Sequence, residues 1–390
     1  MKHPELKQKF NEIFPAAQAP RLFCAPARVN LIGEHTDYNG GHVFPCALTF
    51  NTYVAAAKRT DGKIRLYSLN FEKTGLVEAD INHLAHDPKQ DWANYPLGVF
   101  WAMQRRGLPF DGGADMLFWG DVPLGAGLSS SASIELAAAV ALNTLFGFGL
   151  PQTELAKIGQ EAENKFVGMN CGIMDQFASA MGKKDHAILL DCNTLHYEYA
   201  PLDLQGVSIL ICNTNKPHNL IESKYNERRA QSEHALKQLQ SKLDINALGE
   251  LTEEAFEQNK ELITDLVERK RAKHAVYENR RTLLAAQKLA QGDLEAFGKL
   301  MNASHISLRD DYEVTGKELD AMAEAAWQQE GVLGARMTGG GFGGCVVALV
   351  KNEHVENFKQ NVARLYQAAT GYRPDFYAAS AGDGARELKD

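Results

Sequence analysis

The stretch Pro123-Leu124-Gly125-Ala126-Gly127-Leu128-Ser129-Ser130-Ser131-Ala132-Ser133 decides how this chain is read, because it joins a glycine-rich loop to the start of a strongly apolar helix. Gly125 and Gly127 allow backbone conformations closed to other residues and a close approach to a ligand. The three serines supply an N-cap and short hydroxyl donors. From Ala132 through Ile134, Leu136, Val140 and Leu145 the pattern is apolar almost all round. That predicts a buried helix whose positive dipole end faces the loop. Gly125, Ala126, Gly127, Leu128, Ser129, Ser130 and Ser131 are therefore the candidate anion cradle. The common nucleotide loop requires Gly-x-x-x-x-Gly-Lys-Ser/Thr, and no lysine follows these glycines. Charge neutralisation is expected from elsewhere, most simply a metal ion. A serine-capped core helix after a glycine turn is the alternative reading.

Around that loop lie 390 residues, more than one hydrophobic core usually serves, so two domains are expected, with a boundary near residue 205. A net charge of −8 argues against a nucleic-acid partner, which calls for a basic face. No run reaches the ~18 apolar residues of a membrane span, and the charged start, Met1 to Lys9, lacks the apolar segment of a signal peptide. A cytoplasmic protein is expected. The six cysteines have no Cys-x-x-Cys spacing and read as reduced core thiols, and no His-x-x-x-His pair points to zinc. An oxygen-liganded metal fits better. The acidic surface, with no long apolar stripe, is compatible with a monomer.

Strands are predicted at Leu22–Cys24, Thr52–Ala57, Ile64–Leu69, Ala114–Phe118, Ala187–Leu190, Val207–Cys212 and Val346–Val350. Helical spacing covers Tyr95–Arg106, Ala132–Leu145, Gln152–Phe166, much of Lys224–Leu300 and Glu318–Gln328, which makes the fold α+β. The pairs Arg228-Arg229 and Arg280-Arg281 and the run Glu268-Arg269-Lys270-Arg271 read as solvated helix surface.

Two further segments carry chemistry. In Pro26-Ala27-Arg28-Val29-Asn30-Leu31-Ile32-Gly33-Glu34-His35-Thr36-Asp37-Tyr38-Asn39-Gly40-Gly41, carboxylates and an imidazole crowd a loop. Such a set can engage several hydroxyls of a small polyol or sugar at once; a solvated acidic turn is the alternative. In Gly168 to Phe177, Asp175 sits among apolar residues and is either a helix N-cap or a working acid/base. Glu163 could complete an oxygen-donor metal site with a loop serine. Taken alone, it reads as a surface helix glutamate.

Together with Gly339-Gly340-Gly341-Phe342-Gly343-Gly344, these segments resemble the three motifs of the GHMP small-molecule kinases. Arg28 to Gly41 is similar to the signature of the branch that acts on galactose and N-acetylgalactosamine. The resemblance spans residues 26 to 350 and implies two domains: 1–205, resembling ribosomal protein S5 domain 2, and 206–390, ferredoxin-like, with the active site between them. It implies that Asp175 contacts the anomeric hydroxyl, either removing its proton or orienting it, and that Arg28 lies against that hydroxyl and the γ-phosphate. Galactose would be held by Glu34, His35, Thr36 and Asp37, with Gly172 and Tyr225 closing the pocket; Tyr225 lies in Ser223-Lys224-Tyr225-Asn226-Glu227-Arg228-Arg229. Gly125 to Ser131 would wrap the triphosphate of the co-substrate ATP, and Ser131 with Glu163 would ligate Mg2+. The implied reaction is phosphorylation of D-galactose at O1, which opens galactose catabolism. Kinases of N-acetylgalactosamine, homoserine or mevalonate are rival readings, as is a non-enzymatic sugar and ATP sensor. The Glu-His-Thr-Asp cluster disfavours homoserine and mevalonate, whose carboxylates want cations.

Overall fold

The computed structural model describes residues 3–15, 17–123, 125–216 and 221–389; Met1, Lys2 and Leu124 of the segments above lie outside the described residues. Helix α1 (His3–Ile13) precedes strands β1 (Arg21–Asn30), β2 (His42–Val43), β3 (Pro45–Lys58), β4 (Lys63–Ser68) and β5 (Val77–Asp80). Next come α2 (Asn94–Arg105), β6 (Ala114–Gly120), α3 (Ser130–Leu145), α4 (Gln152–Glu161), α5 (Met174–Met181), β7 (His186–Asp191) and β8 (Tyr197–Pro201). The chain continues through β9 (Val207–Asn213), α6 (Ile221–Leu239), α7 (Glu253–Asn259), α8 (Leu266–Ala290), α9 (Leu294–Ser307) and α10 (Gly316–Trp327). It closes with β10 (Val332–Thr338), β11 (Cys345–Lys351), α11 (Val355–Thr370), β12 (Asp375–Ala379) and β13 (Arg386–Leu388).

A six-stranded sheet runs β13-β1-β3-β6-β4-β5, antiparallel except where β4 meets β6; a four-stranded antiparallel sheet runs β10-β11-β9-β12. Helices α3 and α5 bury their apolar faces on the first sheet and α2 and α4 pack against those helices, with Phe100, Leu136, Phe177 and Phe118 in that core. Helices α10 and α11 cover one face of the second sheet through Met322, Leu319, Phe358 and Tyr366. A third cluster packs Val29 and Leu31 of the first half against Ile211, Phe297 and Val347 of the second. Val207 opens the second sheet, and the chain's tail returns to the first: β13 pairs with β1, Leu22 opposite Leu388. Among the described residues no helix is long and apolar enough to cross a membrane, and the six cysteines are free.

Three expectations are corrected. The strand expected over Leu22–Cys24 continues to Asn30, passing Pro26 through a register shift between Pro26 and Arg28. Such a bulge re-aims the side chain beside it, here Arg28. The helix expected over Gln152–Phe166 leaves α-geometry at Glu161 and widens into a π-turn over Ala162–Val167, where Glu163 is buried. Arg228 and Arg271, expected on solvated surface, are buried as well. Both donate to the carbonyls that end the π-turn at Leu308–Tyr312: Arg228 to the oxygens of Tyr312 and Glu313, Arg271 to that of Asp311. Carbonyls at a helix end lack intrahelical donors, and the two guanidinium forks supply them.

Candidate active site

The glycine-rich loop, strand β1 and helix α5 converge on one charge pair. Arg28 Nε and Nη2 donate to Asp175 Oδ1 and Oδ2 at 2.7 and 2.8 Å, a bidentate fork, and Arg28 Nη1 donates to the Gly127 carbonyl at 3.0 Å. The Arg28 side chain is 4 % exposed and that of Asp175 26 %, so the carboxylate forms the wet side of the pair. Asp175 occupies the first turn of α5 behind the cap position, held by Ile173, so it is not the N-cap. Ser129 takes the cap position of α3 with φ +60°, yet its hydroxyl donates to Asp175 Oδ2 instead of capping the helix. Helix α3 is locked in place by Ser133, whose hydroxyl bonds the Ala25 carbonyl and Thr52. Its free N-terminal N–H groups therefore face the cleft lined by Gly125, Gly127, Ser129, Ser130 and Ser131. Leu128 lines the same cleft, while Ala126 packs into the shared core.

The same cleft receives Glu34, His35 and Asp37 from the loop after β1, Gly172 from the segment before α5, and Tyr225 from α6. Thr36 does not reach it: its buried hydroxyl bonds the carbonyls of Gly33 and His42 and shapes the loop. His35 Nδ1 lies 2.7 Å from the Tyr38 hydroxyl, and its Nε2 is buried without a hydrogen-bond partner among the described residues. Burial, and then His274, pulls the His35 imidazole down to about 3, so it is neutral. Burial raises the Asp37 carboxyl to about 6, with the nearby charge of Asp175 acting in the same direction. A Cβ at Gly172 would sit 1.9 Å from Asp37 Oδ2, so a glycine here lets the Asp37 carboxylate lie against this segment. Tyr225 lies across Gly340, and Gly339 to Gly341 close the cleft from the second half.

Glu163 and Ser131 both line the cleft at the loop's other flank. Gln176 Nε2 donates to Glu163 Oε2 at 2.6 Å and to Glu135 Oε2 at 3.1 Å. Glu135 Oε1 and Gln176 Oε1 are buried without hydrogen-bond partners among the described residues. Burial raises both carboxyls, Glu163 to about 7 and Glu135 well above its ordinary range. Magnesium takes hard oxygen donors, and of this group the Ser131 hydroxyl and the Glu163 carboxyl are the ones that line the cleft. Among the described residues no group of three or more His, Cys, Asp or Glu side chains is arranged to hold a metal alone, so phosphate oxygens and water would complete the shell.

Several residues of the site carried no sequence signal. Arg336 of β10, fully buried, donates to the Glu34 carboxylate. Tyr38, Tyr312 and Ser232 form a hydroxyl chain behind His35, with 2.8 and 2.9 Å steps. A second cavity shares Ser130 and Ser131 with the main cleft and is walled by Trp92, Tyr95, Phe118 and Trp119. Alternation within single strands does not reveal such a pocket, because residues of β3, β4, α2, β6 and α3 and of the segments between them build it.

An α+β fold whose glycine-serine loop and helix dipole face a guanidinium–carboxylate pair defines a small-molecule phosphotransferase of the GHMP kinase class. Residues 94–183 match the GHMP kinases N terminal domain, and residues 285–368 match GHMP kinases C terminal. Residues 8–58 match the galactokinase galactose-binding signature. The chain is 54 % identical over 388 residues to the galactokinase of Lactiplantibacillus plantarum, covering 100 % of each, and 53 % identical to that of Clostridium beijerinckii, covering 98 % of each. The crystal structure of Lactococcus lactis galactokinase complexed with galactose superposes with a TM-score of 0.96 at 49 % identity, covering 99 % of both chains. Methanococcus jannaschii mevalonate kinase, at 18 % identity and a TM-score of 0.65, shares the fold. The chain belongs to the galactokinase family.

Proposed function

We propose that this chain transfers the γ-phosphoryl group of ATP to the anomeric O1 hydroxyl of D-galactose, giving galactose 1-phosphate and ADP. The observation that carries the reading is the Arg28–Asp175 fork set at the mouth of the Gly125–Ser131 loop. Phosphoryl transfer needs in-line placement and compensation of negative charge on the equatorial oxygens. The α3 N-terminus and Arg28 offer that compensation from the protein. Asp175, the exposed half of its pair, accepts a hydrogen bond from the O1 hydroxyl and takes its proton as O1 bonds to phosphorus and the bond to the β-phosphate oxygen breaks. Because the transition state is loose, this proton moves late, and positioning of the hydroxyl is the larger part of the role.

The sugar is held by Glu34, His35, Asp37 and the Tyr225 ring, a set of acceptors and one neutral imidazole that matches hydroxyls and leaves no cation for a substrate carboxylate. The triphosphate lies along Gly125 to Ser131, and the aromatic cavity beside Ser130 and Ser131 suits a nucleobase. Bound Mg2+ would neutralise phosphate charge, with Ser131 and Glu163 as its protein ligands. We further propose a monomer acting in the cytoplasm, which sedimentation and cell fractionation test.

The test is ADP release from Mg-ATP with D-galactose, N-acetylgalactosamine and glucose side by side. Release with galactose is expected. Release with N-acetylgalactosamine alone moves the substrate to the C2-acetamido sugar, and none with any sugar leaves a binding-only sensor.

A further inference from the structure

The Glu34 carboxylate is gripped from the second half of the chain, and the two oxygens are gripped differently. Oε2 accepts from Arg336 Nη2 and, at 2.8 Å, from Asn30 Nδ2. Oε1 accepts from the Gly339 N–H at 2.9 Å, with the Thr338 hydroxyl at 3.2 Å. That hydroxyl has one proton, and the Asn30 carbonyl lies nearer to it, at 3.0 Å. A carboxylate oxygen accepts about two hydrogen bonds, so Oε2 is filled and the spare capacity of Glu34 lies on Oε1. Arg336 is itself fixed: Nη1 donates to the Asn30 carbonyl at 3.2 Å, and Nε donates to Ser304 Oγ at 3.1 Å. Ser304 in turn donates to Glu278 Oε1, which also accepts the Gly33 N–H at 3.1 Å, while Arg281 pairs with Glu278 Oε2. Arg336, Glu34, Glu278 and Ser304 are all buried. The sugar loop is thus held at consecutive residues, Gly33 by its amide and Glu34 by its carboxylate, through one connected network.

We infer that Arg336 is a positioning residue for sugar recognition: it occupies Oε2 of Glu34 so that Oε1 is presented, in one orientation, to a single hydroxyl of the acceptor sugar. The inference rests on the sugar-kinase reading above. Nothing in the Arg336 side chain meets the reacting atoms; it acts through Glu34. A guanidinium suits the task because its fork serves Glu34, Asn30 and Ser304 at fixed angles, which a single ammonium cannot do.

The experiment compares wild type, Arg336→Lys and Ser304→Ala with galactose and the set of monodeoxygalactoses, measuring kcat and KM for sugar and for ATP. Wild-type turnover of galactose is measured first, and its absence overturns the sugar-kinase reading itself. Wild type is expected to lose ~100-fold or more in kcat/KM with the one deoxy sugar lacking the hydroxyl that Oε1 accepts. In Arg336→Lys the galactose KM should rise ~10-fold or more while kcat and the ATP KM stay within about threefold, and the penalty for that one deoxy sugar should collapse. Ser304→Ala keeps both charges and removes one support of the fork, so it should show the same pattern in smaller degree even where Arg336→Lys is too unstable to assay. Equal losses for galactose and every deoxy sugar, or equal shifts in the two KM values, would mean that Arg336 supports the fold alone.

Discussion

Arg28 and Asp175 stand 147 residues apart in sequence and form a two-pronged ion pair at 2.7 and 2.8 Å, with the arginine buried and the carboxylate turned toward the cleft. Strand β1 brings the first and α5 the second. The tail of the chain reinforces the contact between these elements: Ser179 of α5 donates to the Pro26 carbonyl, and Ala385 donates to that of Ser179 just before β13 pairs with β1. The reacting pair is therefore set by elements from three distant parts of the sequence.

Asp175→Asn keeps the shape of the pair and removes its charge. It should lower kcat at least ~100-fold, the scale of a lost general base, with little change in ATP binding. Steady-state kinetics alongside calorimetric ATP binding check this. Near-normal kcat in the folded variant removes Asp175 from the reaction.

Ser131→Ala deletes one of the two protein oxygens expected at the metal. The Mg2+ concentration giving half-maximal activity should rise, and thermal stabilisation by Mg-ATP should shrink toward that given by ATP with EDTA. An unchanged metal titration counts against Ser131 as a ligand.

The first half of the site was legible in the sequence because its residues are adjacent: the Gly125–Ser131 loop and the Glu34–Asp37 cluster are read within a dozen residues each. What escaped was set by packing over long separations. Arg336 lies 302 residues from Glu34, and nothing in a strand reading Val332–Thr338 marks its arginine as buried. Arg228 and Arg271 follow a polar helical pattern that describes solvated arginines equally well, until the orphaned carbonyls near Tyr312 are known. Glu163 turns inward through a π-turn, which no 3.6-residue periodicity foresees. Thr36 failed in the other direction: it stands inside the sugar-binding signature, yet it serves the loop's backbone.

Asp37 should control the acid side of the pH profile. Burial, with Asp175 beside it, raises its carboxyl to about 6, so it is protonated below that pH and ionised above it. An ionised Asp37 accepts sugar hydroxyls, so kcat/KM for galactose should fall as pH drops through about 6, and Asp37→Asn should lose that limb. The stability effect has the opposite sign. The folded chain holds this proton more tightly than the unfolded one, so the contribution is full below the unfolded value of 3.8 and is lost as pH rises through about 6. Asp37→Asn should therefore gain Tm relative to wild type on going from pH 4 to pH 8, which scanning calorimetry measures.

Gly172→Ala adds one methyl where Asp37 Oδ2 would lie 1.9 Å away. Asp37 must move, so the galactose KM should rise ~10-fold or more while the ATP KM stays put. Equal KM values for galactose in variant and wild type would separate Asp37 from sugar binding.

Transfer to O1 is decided by where the phosphate goes. Phosphorus NMR on a mixture of the purified protein, Mg-ATP and D-galactose should show loss of the γ-phosphate signal and growth of a sugar phosphate coupled to the anomeric proton, with Arg28→Lys and Asp175→Asn slowing both together. A phosphate appearing on the C6 hydroxyl, or no sugar phosphate from the folded wild-type chain, would contradict the placement of the anomeric hydroxyl against the Arg28–Asp175 pair.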